Sequence, residues 1–446
     1  MDNLNKKQIV IYGGPLFDGR GKVYQDGAIY IKEGIIISVG DEEKVFEKIP
    51  KESSLDSYDS KGRVIFPGLI NLHHHFYSAF AKGLAPQGPT DNFRNILENM
   101  WWKLDKALDK ESVQLSAAVT VLDSVRAGVT TVFDHHASPY DIEGSLQAIA
   151  AITSRAGIQA VLCYEVSDRD GEDIFRIGLD ENLSFIESYR DNEMLQGILG
   201  LHANFTLDDD SLNEVSHHFD PEVGIHIHCG EDRSDLDYCR ELDYKGPADR
   251  LNRFDLLCNK SILAHGVHLS KEDVEILKQK RSVIVHNPES NMNNNVGVLS
   301  IPMPEDIMIG LGTDGMSSDM LKTLKSGFLS HRQNGVTSDI IMDNLSQYLF
   351  EANGKVASLF FGGKMGRLEA GAPADISIMD YIPYTEFNSD NIMGHILFGM
   401  GDIKAHMVMK RGKVLFEDGT FFTLDEELIL QEATRASKRL WDKINE

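Results

Sequence analysis

The chain has 446 residues, 42% of them hydrophobic and 25% charged, which excludes a disordered segment and leaves room for one large barrel with additions or for two to three domains. Its 44 Lys and Arg stand against 69 Asp and Glu, a net charge of −25 that argues against nucleic acid and anionic membrane as partners. Four cysteines, Cys163, Cys229, Cys239 and Cys258, form no CxxC pair, so a reducing cytoplasm fits better than a disulfide framework.

The opening MDNLNKKQIVIYGG carries lysines but only a short apolar run before Gly13 and Gly14, which argues against a secretory leader. No later run approaches the roughly 20 apolar residues of a membrane span. QIVIYGG and GAIYIKEGIIISVG read as small antiparallel strands, the second folding back at Lys32-Glu33-Gly34.

From Val64 onward, short apolar runs alternate with longer stretches of helical period. The strand candidates are VIFPGLI, VTTVFD, IQAVLCYE, QGILGLH, VGIHIHC, SILAH, SVIVH and DIMIGLG. Between them lie helix candidates such as ESVQLSAAVTVLDSVRAG and EGSLQAIAAITSRAG, which Gly128 and Gly157 can terminate. Pro302 and Pro304 leave little room for a full helix before the last strand.

Eight alternations predict a TIM-like (β/α)8 barrel over residues 64–366, with an open doubly wound sheet as the alternative. Strand patterns return in DISIMDY, AHMVMKRGKVLFEDG and FFTLD. Residues 1–63 and 367–446 are therefore expected to pair into a composite small β-sandwich domain with a helical C-terminal tail.

The sharpest chemical signal is PGLINLHHH, residues 67 to 75. Residues two apart on an extended segment face the same way, so His73 and His75 can reach one ion. Alone an HxH is weak, because the chain holds 16 histidines. Its weight comes from convergence: in a barrel, His73, His75, His228, His265 and Asp314 would all lie at the C-terminal ends of strands one, five, six and eight, where barrel active sites are built. Three imidazoles and one carboxylate suit Zn²⁺ first and Fe²⁺ as the alternative, and such an ion can bring the pKa of bound water to about 7.

Taken together, PGLINLHHH, HCGE, LAHGVHL, VHNPESN and GLGTDG resemble the amidohydrolase superfamily, in the branch of guanine deaminase, adenosine-type deaminases and triazine chlorohydrolases. Within that branch NLHHHFYSAFAKG, NMWWKLDKAL and DHHASP resemble the aminohydrolases known as SsnA, a likeness that supplies no substrate. The resemblance implies one metal on His73, His75, His228 and Asp314, Glu231 as proton shuttle, and His265 orienting the attacking hydroxide. It also implies that Asp314 helps protonate departing ammonia. Where binuclear relatives carry a modified lysine after strand four, this chain has His202, which the resemblance makes a substrate contact.

The implied function is hydrolytic deamination of a purine-, pterin- or triazine-like ring. Cyclic amide hydrolysis or ring dechlorination is the alternative, and a scaffold without activity is a third reading. The expected partner is a small heterocycle, with homo-oligomerisation left open. His135 and His136 are candidates for reading a ring substituent or for simple packing. Trp101 and Trp102 fall in a helix that is either a lid over the site or core. His226 and His286 are expected to be structural.

Overall fold

The computed structural model describes residues 8–51, 54–304 and 306–446. The first seven residues, on which the absence of a leader was partly argued, lie outside the described residues. The expected hairpin forms between strands Val23–Lys32 and Ile35–Asp41, with Lys32 opposite Ile35. Its turn needs positive φ at both central positions, and Glu33 and Gly34 adopt 54° and 77°.

VIFPGLI is not one strand. Ile65–Pro67 pairs antiparallel with Ile376–Met379 in the small sheet, and Leu69–His74 begins the barrel. Gly68 marks the crossing, where a Cβ would lie 2.5 Å from Thr130 Oγ1. An apolar run carries no mark of which sheet each half joins.

The barrel strands are β1 Leu69–His74, β2 Val129–His136, β3 Gln159–Tyr164, β4 in two pieces at Leu195–Gly197 and Leu199–Ala203, β5 Ile225–Cys229, β6 Ile262–His265, β7 Val283–His286 and β8 Met308–Leu311. They form two parallel stretches, β1 to the first piece of β4 and the second piece of β4 to β8. Parallel bridges Val166↔Leu201 and His74↔Asp314 join the stretches and close the ring. The fold is thus a TIM-like barrel, and the open sheet is excluded.

Connecting helices start and stop by local chemistry. Lys110–Arg126 begins in a capping box, Asp109 accepting from Ser112 N while Ser112 Oγ accepts from Asp109 N, and it ends at Gly128, whose φ is 83°. Gly157 ends Ser145–Ala156 in the same conformation. Among the described residues between β7 and β8, only the short helix Pro288–Asn293 forms.

Strands from both chain ends build one nine-stranded sheet with its own apolar core, in which Ile9, Ile11 and Ile31 meet Ile376, Met407 and Met409. The C-terminal helix Glu426–Asn445 returns to the barrel, where Trp441 Nε1 donates to the Phe80 carbonyl just beyond β1.

The lysine of a buried ion pair in this sheet also reaches into the barrel. Lys410, 2% exposed, donates to Asp375 at 2.8 Å, to Gln159 at the start of β3 and to Thr131 in β2. Removing one member of such a pair strands the other in low dielectric, so Lys410→Met is expected to cost about 3–5 kcal/mol. Urea unfolding measures it, and a midpoint equal to that of the parent chain contradicts it.

Candidate metal centre

The alternation of β1 sends His73 and His75 into the barrel mouth, while His74 turns away to Ser318 Oγ at 3.0 Å. Asp314 arrives beside them because β8 closes on β1. Both Thr313 N and Asp314 N donate to the His73 carbonyl, at 3.0 and 2.9 Å, and Asn71 donates to Thr313 Oγ1. Glu289 anchors the following turn by accepting from Ser317 and Thr323. Asp314 and His265 sit at φ of 53° and 77°, a left-handed backbone that costs non-glycine residues on the order of 1–3 kcal/mol and recurs at functional sites.

The tautomers follow from the hydrogen bonds. His75 Nδ1 donates to the His135 carbonyl at 2.6 Å and His228 Nδ1 to the His202 carbonyl at 2.8 Å, so both rings turn Nε2 inward. Those two Nε2 atoms stand 3.1 Å apart, and Asp314 Oδ1 is 2.9 Å from the first. His73 Nδ1 is held by His226 at 2.9 Å and His265 Nδ1 by Asn291 Oδ1 at 2.8 Å; the buried Nε2 of each has no hydrogen-bond partner. Four inward nitrogens and a carboxylate crowd one point, and such lone pairs repel unless a proton or a cation lies among them. His73, His228, His265 and Asp314 offer atoms all within 4.8 Å of one another, and His75 adjoins the set. Burial keeps His73 and His228 well below the usual histidine range. Burial opposes ionisation of Asp314, yet the His73 and His75 rings hold it well below the usual carboxylate value. The donor set therefore fits a divalent cation of borderline softness.

Glu231, three residues past His228, reaches back over the cluster. Its Oε2 lies 3.5 Å from His265 Nε2 and its Oε1 accepts from Asn294 at 3.0 Å. Burial foremost, with Asp314 adding to it, pushes its pKa up to about 7. A carboxyl that holds and releases a proton near neutrality is what a shuttle requires.

Next to the cluster lies a cavity walled by Tyr77, Phe93, Trp101, Trp102 and Phe205, with His202, Glu165 and Asn294 among its polar lining. Trp101 and Trp102 thus face the cavity. His202 is buried beside it and held neutral by burial, its pKa down to about 3. His135 and His136 do not line it: His135 contacts Glu165 and the backbone carbonyls of Leu201 and His226, and His136 pairs with Ser138. His226 supports His73, and His286 packs against His331, Nε2 to Nε2 at 3.2 Å.

Three residues at this site escaped the sequence reading. Glu165 follows β3 directly, and although burial opposes its ionisation, the His135 ring and the Arg169 guanidinium beside it hold it at about 2. Asn291 and Asn294 fix His265 and Glu231; the first lies within VHNPESN, the one available signal.

The family model described as the Amidohydrolase family matches residues 64–415. The 5'-deoxyadenosine deaminase of Methanococcus aeolicus is 27% identical over 439 residues, covering 95% of this chain and 99% of that protein. Among solved structures, a zinc-bound adenosine deaminase from Xanthomonas campestris superposes with a TM-score of 0.83 at 18% identity, covering 97% of this chain and 98% of its own. Guanine deaminase of E. coli superposes at 0.77 and 18% identity, with 92% and 99% covered.

Proposed function

Because this chain belongs to the amidohydrolase family, we propose that it deaminates an amino-substituted nitrogen heterocycle by hydrolysis, with His73, His75, His228 and Asp314 holding one divalent ion. It is a metal-dependent hydrolase acting on C–N bonds other than peptide bonds. The observation that carries the deaminase reading is the meeting of an electron-rich histidine–carboxylate cluster with the buried carboxyl of Glu231 at the edge of an aromatic cavity. Deaminases of adenosine derivatives among its relatives support it.

When bound, the cation supplies Lewis acidity that makes water nucleophilic near neutral pH; the nitrogen-rich donors favour Zn²⁺, with Fe²⁺ the alternative. The protein's own groups do the rest. His265, clamped by Asn291, orients the attacking water. Glu231 takes a proton and delivers it to the ring nitrogen, which removes aromatic stabilisation from the amidine carbon under attack. Asp314 helps protonate the leaving ammonia, and His202 meets the ring from the β4 side. Stacking on Trp101 and Trp102 holds the heterocycle flat and limits water to the reacting molecule.

All four cysteines are free, which supports a reducing compartment; among the described residues no helix is long and apolar enough to cross a membrane.

The test is ammonia release by zinc-loaded protein from a panel of amino-substituted purines, pterins, pyrimidines and triazines. Turnover of at least one ring is expected. Release of chloride or ring opening, with no ammonia from any member, overturns the deaminase reading.

A further inference from the structure

We propose that Glu165 and His202 form an acceptor pair that selects heterocycles presenting two hydrogen-bond donors along one edge. The inference rests on the cavity being a heterocycle site, and deepens that reading to a class of substrate.

Glu165 lines the cavity but is anchored from the side. Its Oε1 accepts from Arg169 Nη2 at 3.2 Å, and its Oε2 lies 3.2 Å from His135 Nδ1. Arg169 is tied in turn to Asp105 at 3.0 Å, on the helix Trp102–Ala107, and its guanidinium lies 4.9 Å from the Trp102 ring centroid. Each carboxylate oxygen has two lone pairs, so one partner apiece leaves acceptor capacity free for a ligand.

His202 adds a second acceptor. Its Nδ1 is 2.8 Å from Thr206 Oγ1, and that hydroxyl donates to the Ala203 carbonyl at 3.0 Å. Thr206 therefore accepts from Nδ1–H, and His202 Nε2 keeps its lone pair. Glu165 and His202 offer atoms within 4.8 Å of each other, a spacing that an amino group and an adjacent ring N–H can bridge. Among the described residues no lysine or arginine lines the cavity, whereas Glu165, Glu231 and Asp314 do.

The same pair with His228 could also be read as a second cation site. Arg169 already neutralises Glu165, and His228 Nε2 faces His75 at 3.1 Å, so the donor-edge reading is the stronger.

The experiment measures binding to the zinc-loaded full chain by tryptophan fluorescence, since Trp101 and Trp102 form part of the cavity wall. The probes are 2-aminobenzimidazole and benzimidazole, equal in ring size. The parent protein is expected to bind the amino compound about tenfold more tightly than benzimidazole, as for a hydrogen bond to a charged group. Glu165→Gln, which replaces one acceptor by a donor, is expected to bring the two within about threefold of each other, with zinc content unchanged. Equal affinities in the parent, or a preference that survives the substitution, overturn the proposal. So does a second ion per chain that Glu165→Gln removes. Should the variant fail to fold, the ranking in the parent decides alone. Binding needs no turnover, so a protein that releases no ammonia from any ring fails the deaminase reading while leaving this result legible.

Discussion

His228→Ala is expected to abolish turnover, by a thousandfold or more, in a chain that keeps its fold, and added zinc is expected not to restore it. The size follows from position. Replacing groups that merely orient a metal-bound residue typically costs about 10–100-fold, and His228 lies at the centre of the cluster, 3.1 Å from His75 and among the atoms grouped with His73, His265 and Asp314. Its removal deletes one inward nitrogen and releases the His202 carbonyl that its Nδ1 holds. The fold survives because His228, one residue from the end of β5, faces the cavity rather than the apolar interior between strands and helices. Steady-state assay with excess zinc, beside far-ultraviolet circular dichroism, measures both halves. Substantial activity in the variant contradicts the assignment.

Glu231→Gln is expected to separate binding from chemistry. The amide fills the same space and can keep a hydrogen bond with Asn294, yet it cannot carry a proton from water to the ring. Loss of a general acid–base group costs about 10²–10⁴ in kcat. Metal content should match the parent, since Glu231 stands 3.5 Å from His265 Nε2 and is not one of the proposed ligands, while kcat falls and KM moves little. A fully active Glu231→Gln protein removes the shuttle from the mechanism.

Much of this site is legible in the sequence because its residues sit at strand ends, where period two and a terminal turn constrain direction. His73 and His75 share a face by alternation alone, and HCGE and GLGTDG follow apolar runs too short to be helices. The likeness to the amidohydrolase family read from those segments extends to nearly the whole barrel. Other features depend on contacts between distant segments. Glu165 follows VLCY and looks like any strand end turning to solvent, until Arg169, His135 and Asp105 are seen to bury it. The split of VIFPGLI at Gly68 depends on Thr130 lying against it. His226 alternates with His228 and has the structural role expected of it, but that its Nε2 holds His73 Nδ1 shows only once β1 and β5 are placed. Trp101 and Trp102 lie at a helical spacing that suits core and lid equally, and only the position of their helix over the barrel mouth turns both toward the cavity.

The central claim is that chemistry here depends on a cation gathered by side chains from β1, β5 and the end of β8. Elemental analysis of the purified parent chain beside His228→Ala tests it most directly. One equivalent of zinc or iron per parent chain, and a small fraction of that in the variant, is the expected result. A parent protein free of transition metal after growth and dialysis in zinc, or a variant that retains the full equivalent, would contradict it.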